Sequence, residues 1–409
     1  KTRLRDWLII DPEAYFDRMS GFIRIASGKS EVLGRDEASQ QALFNYPNDV
    51  NRQHISITNK EGELFIQAID SEAITKIVAL DREETVSSLR LTRQKNLALL
   101  WKELGYASIP VPNEDATLLA QKVREILADE PYRARDSDGL PGGLVELPDQ
   151  NSIVFVGDLH AQCDNLIKLL TEGSLLNAIR KGTTCLVLLG DVVHSDIRDQ
   201  LEEMRPSMAM IDLFLMLKTR FPANVFCCRG NHESFSPDVG KSGVSQGLLL
   251  RKFLQKERGK EFAESIGEIF ENLPYVIRGK DCAACHGAPT RGRVTEESLI
   301  NIRRYPGLQH EILWNRLRGP NRPAGYTKGS VVRFRRSLGL PKDAPLIVGH
   351  TSFTDTETVW MDVNDIVGHH VVYSSDTDRF GAILVQDGTA IPLELLAEPA
   401  SPEQETILT

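Results

Sequence analysis

Four times in this chain a short apolar run ends at or near a glycine and delivers residues with metal-binding chemistry. Residues 152–156 (SIVFV) lead into Gly157, Asp158 and His160, and residues 184–189 (TCLVLL) into Gly190 and Asp191. Residues 224–228 (NVFCC) lead through Arg229 and Gly230 to Asn231, His232 and Glu233. Residues 346–348 (LIV) end at Gly349 and His350, and a fifth strand end, after Cys285, brings His286. Helical stretches follow the first two runs, at 164–170 and in a long helix through Leu217. Short buried strands alternating with helices predict an α/β sheet with its ligands beyond the carboxyl ends of the strands. A glycine beside each ligand is expected to let the backbone turn sharply there.

The donor types narrow the chemistry. Carboxylate, imidazole and amide oxygen together suit manganese, iron or zinc, whereas calcium and magnesium prefer oxygen alone. A lone Gly-Asp or Gly-His carries little information, but five strand ends in order, each with a ligand, define a metal site. Six ligands, Asp158, His160, Asp191, Asn231, His286 and His350, with one carboxylate shared, fit a two-metal centre. Such a centre holds a bridging hydroxide and clamps a phosphoryl group for in-line attack.

Composition removes other classes. With 48 Lys+Arg against 57 Asp+Glu the net charge is −9, and 41% of the 409 residues are hydrophobic. That balance supports sizeable cores in two or three domains and excludes a disordered chain. It also argues against a partner bound through a broad basic face, such as nucleic acid. Phosphate is still admissible, because bound cations dominate the local field. The most apolar helical stretch, 208–217, is cut by Asp212 and closed by Lys218, short of the roughly 20 residues a membrane span needs. The six cysteines include adjacent Cys227 and Cys228 and a single CxxC, Cys282 and Cys285, without a second pair for a zinc ribbon. Buried reduced thiols, and hence a cytoplasmic setting, are expected. A signal peptide is not apparent, and the missing initiator Met implies sequence upstream of Lys1.

Residues 1–112 differ from the rest. A hairpin is expected over 54–69 around Asn59 and Gly62, and a helix over 85–104 with leucines on one face. The segment 109–113 (IPVPN) reads as a linker, and Asn113 as the cap of a helix over 114–129. This divides the chain into an accessory or recognition region at 1–112, a catalytic domain at 113–395, and a loose tail at 396–409.

The ordered motifs GDLHAQCDNL, LVLLGDVV, CCRGNHE, ACHG and IVGHT resemble the calcineurin-like metallophosphoesterases, and within them the phosphoprotein phosphatase branch of protein phosphatase 1 and calcineurin. The resemblance covers about residues 115–395. It implies an α+β fold layered α-β-β-α, a central β-sandwich flanked by helices, here with an added N-terminal α+β region. It implies hydrolysis of phosphate monoesters on phosphoproteins or phosphopeptides with two divalent ions, manganese first and iron or zinc as alternatives. By this match Asp158 and His160 hold the first metal, Asp191 bridges, and Asn231, His286 and His350 hold the second. His232 matches the general acid, and Arg229 the arginine before GNHE. Asn231 and Arg229 are assigned to phosphate binding, with Lys328 as a further cation and Arg318 and Arg322 as alternatives.

The departures are local. Ala161 stands for a glycine, with little harm expected. In the second motif His194 stands for the Asp that orients the general acid, and Ser195 for a phosphate-binding Arg; Asp196 and Arg198 are nearby substitutes that do not align. Ser374 to Asp378 replaces the family's toxin-contacting loop. The wording of the motifs is closer to bacterial members, some of which prefer phosphotyrosine, and an effector secreted into a host cytosol is a compatible setting. Two rival functions are a hydrolase of dinucleoside polyphosphates and a pseudo-phosphatase binding module.

Overall fold

Along the strands, successive side chains bury in opposite directions, and that alternation builds a sandwich. Leu144, Val276, Cys285, Leu346 and Val348 enter one apolar cluster, together with Leu299, Ile312, Val331 and Phe334 from helices. Their neighbours Val145, Ile277, Ala284 and Ile347 enter a second cluster with Phe155, Val187, Phe226 and Ile383. The second cluster is the sandwich interior, because its members come from two different sheets.

In the computed structural model the described residues are 7–10, 22–34, 51–69, 93, 95–105, 109–149, 152–319, 324–354, 357–376 and 379–396. The strands are β1 (Trp7–Ile10), β2 (Phe22–Ile25), β3 (Ser30–Leu33), β4 (Ile55–Lys60), β5 (Glu63–Ala68), β6 (Arg133–Arg135), β7 (Pro141–Glu146), β8 (Ser152–Val156) and β9 (Thr184–Leu188). They continue as β10 (Val225–Cys227), β11 (Val276–Arg278), β12 (Ala283–Cys285), β13 (Leu346–Val348), β14 (Val359–Trp360), β15 (His369–Val372), β16 (Arg379–Gln386) and β17 (Thr389–Leu396). The helices are α1 (Asn113–Ala128), α2 (Cys163–Thr171), α3 (Leu175–Arg180), α4 (Arg205–Arg220), α5 (Gln246–Arg258), α6 (Lys260–Asn272), α7 (Glu296–Ile300), α8 (Pro306–Trp314) and α9 (Lys328–Ser337).

The chain divides into two compact units, one of residues 1–97 and 171–178, the other of 98–170 and 179–409. In the first, β3-β4-β5 form an antiparallel sheet over a small core of Ile25, Leu33 and Ile57. The hairpin expected over 54–69 is present, and its turn is closed by the Gly62 N–H donating to Asn59 Oδ1 at 3.0 Å. Of the helix expected over 85–104, residues 95–104 are helical, while 85–92 and 94 lie outside the described residues.

In the second unit a five-stranded sheet has the order β10-β9-β8-β16-β17 and a seven-stranded sheet the order β14-β15-β13-β12-β11-β7-β6. The β8, β9 and β10 strands are parallel, as are β12 and β13, so their carboxyl ends point the same way within each sheet. An isolated bridge between Asp158 and Tyr373 joins the two ligand-bearing edges. Asn113, read as a cap, is instead the first residue of α1 after Pro112, and its Nδ2 donates to the Glu257 carbonyl at 2.9 Å. A proline with no side-chain acceptor stands at that end because its fixed φ already suits helix entry. The free thiols of Cys282 and Cys285 are buried on or beside β12, and burial pushes each up to about 12. The tail expected at 396–409 lies, beyond Leu396, outside the described residues.

Candidate metal centre

Loops leaving β8, β9, β10, β12 and β13 carry the ligand residues to one place. The sharp turns fall on the ligands themselves: His160, Asp191 and His350 have φ of 44°, 50° and 63°. Of the flanking glycines, Gly190 makes the expected turn with a φ of 96°, while Gly157, Gly230 and Gly349 do not adopt a positive φ. Gly230 and Gly349 are needed for close approach instead, since a Cβ would overlap Asp191 at the first and Asp158 Oδ1 at the second. Ala161 also sits at a positive φ, 66°, so replacing the glycine stores about 1–2 kcal/mol of strain. Non-glycine residues held in this region are over-determined by their surroundings. Here the His160 and Ala161 N–H groups donate to the carbonyls of Asp191 and Val192, both at 2.8 Å.

The centre of the cluster is His286. Its Nδ1 donates to the Leu189 carbonyl at 3.0 Å. That leaves Nε2 facing Asn231 Oδ1 at 2.9 Å, His350 Nδ1 at 3.2 Å and Asp191 Oδ2 at 3.3 Å. Four atoms able to donate electron pairs thus converge on one place. Burial disfavours a charged His286, but the Asp191 and Asp158 carboxylates outweigh burial and raise it to about 9. The same carboxylates that favour a charged His286 suit a cation, and a bound metal ion would displace any proton held there. Asp191 is buried yet held well below the usual carboxylate range by His286 and His232. Burial raises Asp158 to about 6.

Two groups have ligand atoms close enough to share an ion: His160 with Asp191 and His232, and Asp191 with His286 and His350. Asp191 belongs to both, the position of a bridging carboxylate. Asp158 lies beside them, Oδ2 being 3.8 Å from His160 Nε2 and Oδ1 accepting the His350 N–H at 2.8 Å. His350 turns its Nδ1 into the cluster, and among the described residues its buried Nε2 has no hydrogen-bond partner. The donor set and its geometry fit two divalent ions.

His232 is the most accessible member, its side chain 12% exposed against 7% or less for His160, Asp158, Asp191 and His286. Its N–H donates to Asp191 Oδ1 at 2.8 Å, and burial lowers its ring to about 4. His194 lies behind it, Nδ1 to Nδ1 at 3.1 Å. Glu233, grouped with the ligands in sequence, serves another purpose. Its Oε2 accepts the N–H groups of Asp191 and Gly230, both at 2.8 Å, and its Oε1 that of Val192 at 2.9 Å. A carboxylate with those partners locks two ligand loops together.

The cations fall unevenly. Arg229 donates to Tyr275 Oη at 3.1 Å and stacks over that ring at 5.8 Å. Lys328 is exposed at the start of α9, Arg318 is exposed, and Arg322 lies outside the described residues. Arg316, which sequence reasoning missed, reaches the cluster, its Nη1 donating to the His350 carbonyl at 2.5 Å and to Thr351 Oγ1 at 3.0 Å. The nearby signal was the Leu313-Trp314 segment, and Trp314 packs edge-on to His350 at 6.0 Å. Asp196 accepts from Tyr373 Oη at 2.7 Å.

Residues 152–352 match the family described as calcineurin-like phosphoesterase. Fold and match together liken this stretch, just under half of the chain, to a calcineurin-like metallophosphoesterase domain. The chain is 28% identical over 174 residues to the serine/threonine-protein phosphatase PP2A-like PPG1 of Candida albicans, covering 41% of this chain and 37% of that protein. It is 27% identical over 187 residues to the serine/threonine-protein phosphatase C23G10.1 of Caenorhabditis elegans, covering 44% and 37%. The chain thus spans little more than a third of the length of these relatives. Among solved structures, a protein serine/threonine phosphatase from Saccharomyces cerevisiae with similarity to human phosphatase PP5 superposes with a TM-score of 0.51 at 19% identity, over 79% of this chain and 98% of that one. That likeness is one of fold. Among the described residues no helix is long and apolar enough to cross a membrane.

Proposed function

We propose that this protein is a metal-dependent phosphoprotein phosphatase. The observation that carries the reading is the convergence of Asn231, His350 and Asp191 on His286 Nε2 with His232 alongside. The names of the relatives favour phosphoserine and phosphothreonine substrates. Two divalent ions, when bound, supply the nucleophilic water oxygen and neutralise phosphoryl charge. Asp158, His160, Asp191, Asn231, His286 and His350 would hold them, with manganese the assigned metal on the mixed nitrogen and oxygen donors.

The chain's own groups do the rest. Asn231 and Arg316 fix the phosphoryl oxygens, Arg316 with the charge that Ser195 no longer brings, and Lys328 is a further candidate. His232, the most accessible ring of the cluster, gives its proton to the departing oxygen as the ester bond breaks. Residues 1–112 are assigned to substrate or partner recognition. The six free cysteines suit a reducing, cytoplasmic setting.

The test is a panel of phosphoserine, phosphothreonine and phosphotyrosine peptides beside a diadenosine polyphosphate, assayed with manganese, iron or zinc. Phosphopeptide hydrolysis supports the reading. Preferential cleavage of the polyphosphate replaces it with a small-molecule hydrolase.

A further inference from the structure

One buried residue contacts both halves of this machinery without being a ligand. His194 is 0% exposed, and three of its polar groups are engaged. Its N–H donates to Ser207 Oγ of α4 at 2.9 Å. Its carbonyl accepts from His160 Nδ1 at 3.0 Å. Its own Nδ1 meets His232 Nδ1 at 3.1 Å. The backbone reaches this arrangement at φ 66°, a conformation that costs a non-glycine residue about 1–2 kcal/mol.

We infer that His194 is the positioning residue of the site, aiming His160 through its carbonyl and His232 through its ring. The inference rests on the phosphatase reading above. A carbonyl acceptor at His160 Nδ1 leaves the Nε2 lone pair pointing at the metal-binding carboxylates. The ring contact fixes the rotation of His232, turning its Nε2 toward Asp191 Oδ2, 4.0 Å away, with its plane perpendicular to that of His160 at 5.1 Å. Without a partner on Nδ1 the His232 ring has no polar contact of its own to hold that rotation in the described set.

An imidazole differs from a carboxylate in this role. A carboxylate accepts the Nδ1 proton of the acid form of His232 with an opposite charge, whereas His194 can accept it only as a neutral ring and so holds that imidazolium less strongly. His194 therefore governs how strongly turnover depends on the leaving group. When the phosphorus–oxygen bond breaks, both electrons go to the departing oxygen, and the proton that neutralises it comes from the imidazolium form of His232, which is left as a neutral imidazole. A poor leaving group such as an alkoxide needs that proton in the transition state, and an acidic phenol needs it less.

Two arms test the inference. The first is a series of esters from dinitrophenyl phosphate through phenyl phosphate to a phosphoserine peptide, turned over by wild type and by His194→Ala, His194→Asn and His194→Asp. His194→Ala should lose about 100-fold on the phosphoserine peptide and far less on dinitrophenyl phosphate, with bound metal unchanged because the carbonyl remains. His194→Asn, which tolerates the positive φ and keeps a polar contact, should recover part of the loss, and His194→Asp more. The second arm needs no metal: hydrogen-bond scalar coupling between the two imidazole Nδ1 atoms, seen by NMR in wild type and absent from His194→Ala. A uniform loss across the series, or an absent coupling in folded wild type, overturns the inference while leaving the phosphatase reading intact. A wild type inert toward every ester overturns both.

Discussion

Glu233 offers the sharpest energetic test of how the site is held together. Its carboxylate is fully buried and accepts three backbone N–H groups, from Asp191, Gly230 and Val192. Glu233→Ala removes all three acceptors at once. Each orphaned buried donor costs about 1–3 kcal/mol, so the variant should lose about 3–9 kcal/mol. That is most of the roughly 5–15 kcal/mol available to a domain. Glu233→Gln keeps one oxygen, which best serves the Asp191 and Gly230 pair on the Oε2 side. Only the Val192 N–H then faces an amide NH₂, and the other two bonds lose their charge assistance, for about 2–4 kcal/mol in all. Urea unfolding of the metal-free proteins gives both numbers. The reasoning fails if the two variants cost the same, or if each costs under about 1 kcal/mol, within the range of an ordinary surface substitution.

Four further expectations concern other parts of the molecule. Removing divalent ions with a chelator should lower stability by about 2.7 kcal/mol for each ion relative to protein held at 100 times the dissociation constant, read as a fall in Tm; an unchanged Tm contradicts the metal centre. His369 is buried beside Tyr326 and lowered by burial to about 3, below its unfolded value of 6.5, so its contribution is fully present above pH 6.5 and is lost as pH falls toward 3. At pH 5 that is about 2 kcal/mol, and His369→Gln should flatten the acid side of the unfolding profile by this amount. Arg316→Ala should cut kcat/KM on a phosphopeptide by about 10- to 150-fold, the loss of one charge-assisted contact. Arg229→Ala, which breaks the stack on Tyr275, should cost about 1 kcal/mol of stability with little change in kcat/KM.

The strands that carry the site were legible because they are short, apolar and buried on both faces. The run SIVFV became β8 without a change of boundary, and LIV became β13. The ligands were legible because their order along the chain is that of strand ends in one architecture. What escaped was everything decided by where a side chain turns after the strand. Glu233 lies two residues past Asn231 in an obvious motif, yet it folds back onto backbone rather than joining the cluster. His194 looked like the loss of an orienting group, and only the fold shows its ring against His232. Arg316 carries no motif at all and is brought to His350 by the end of α8. The positive φ at His160, Asp191 and His350 was hidden for a similar reason, since tertiary contacts impose it against local preference.

The central claim is that Asp191, shared by both candidate ligand groups, organises a dinuclear centre that cleaves phosphate monoesters. The most direct measurement is inorganic phosphate released from a phosphoserine peptide by metal-loaded wild type and by Asp191→Asn, with bound metal quantified in each. The account predicts two ions and steady turnover in wild type, and in Asp191→Asn fewer ions with a rate lower by orders of magnitude. A variant that keeps the wild-type rate, or a wild type that binds no metal and still releases phosphate, contradicts it.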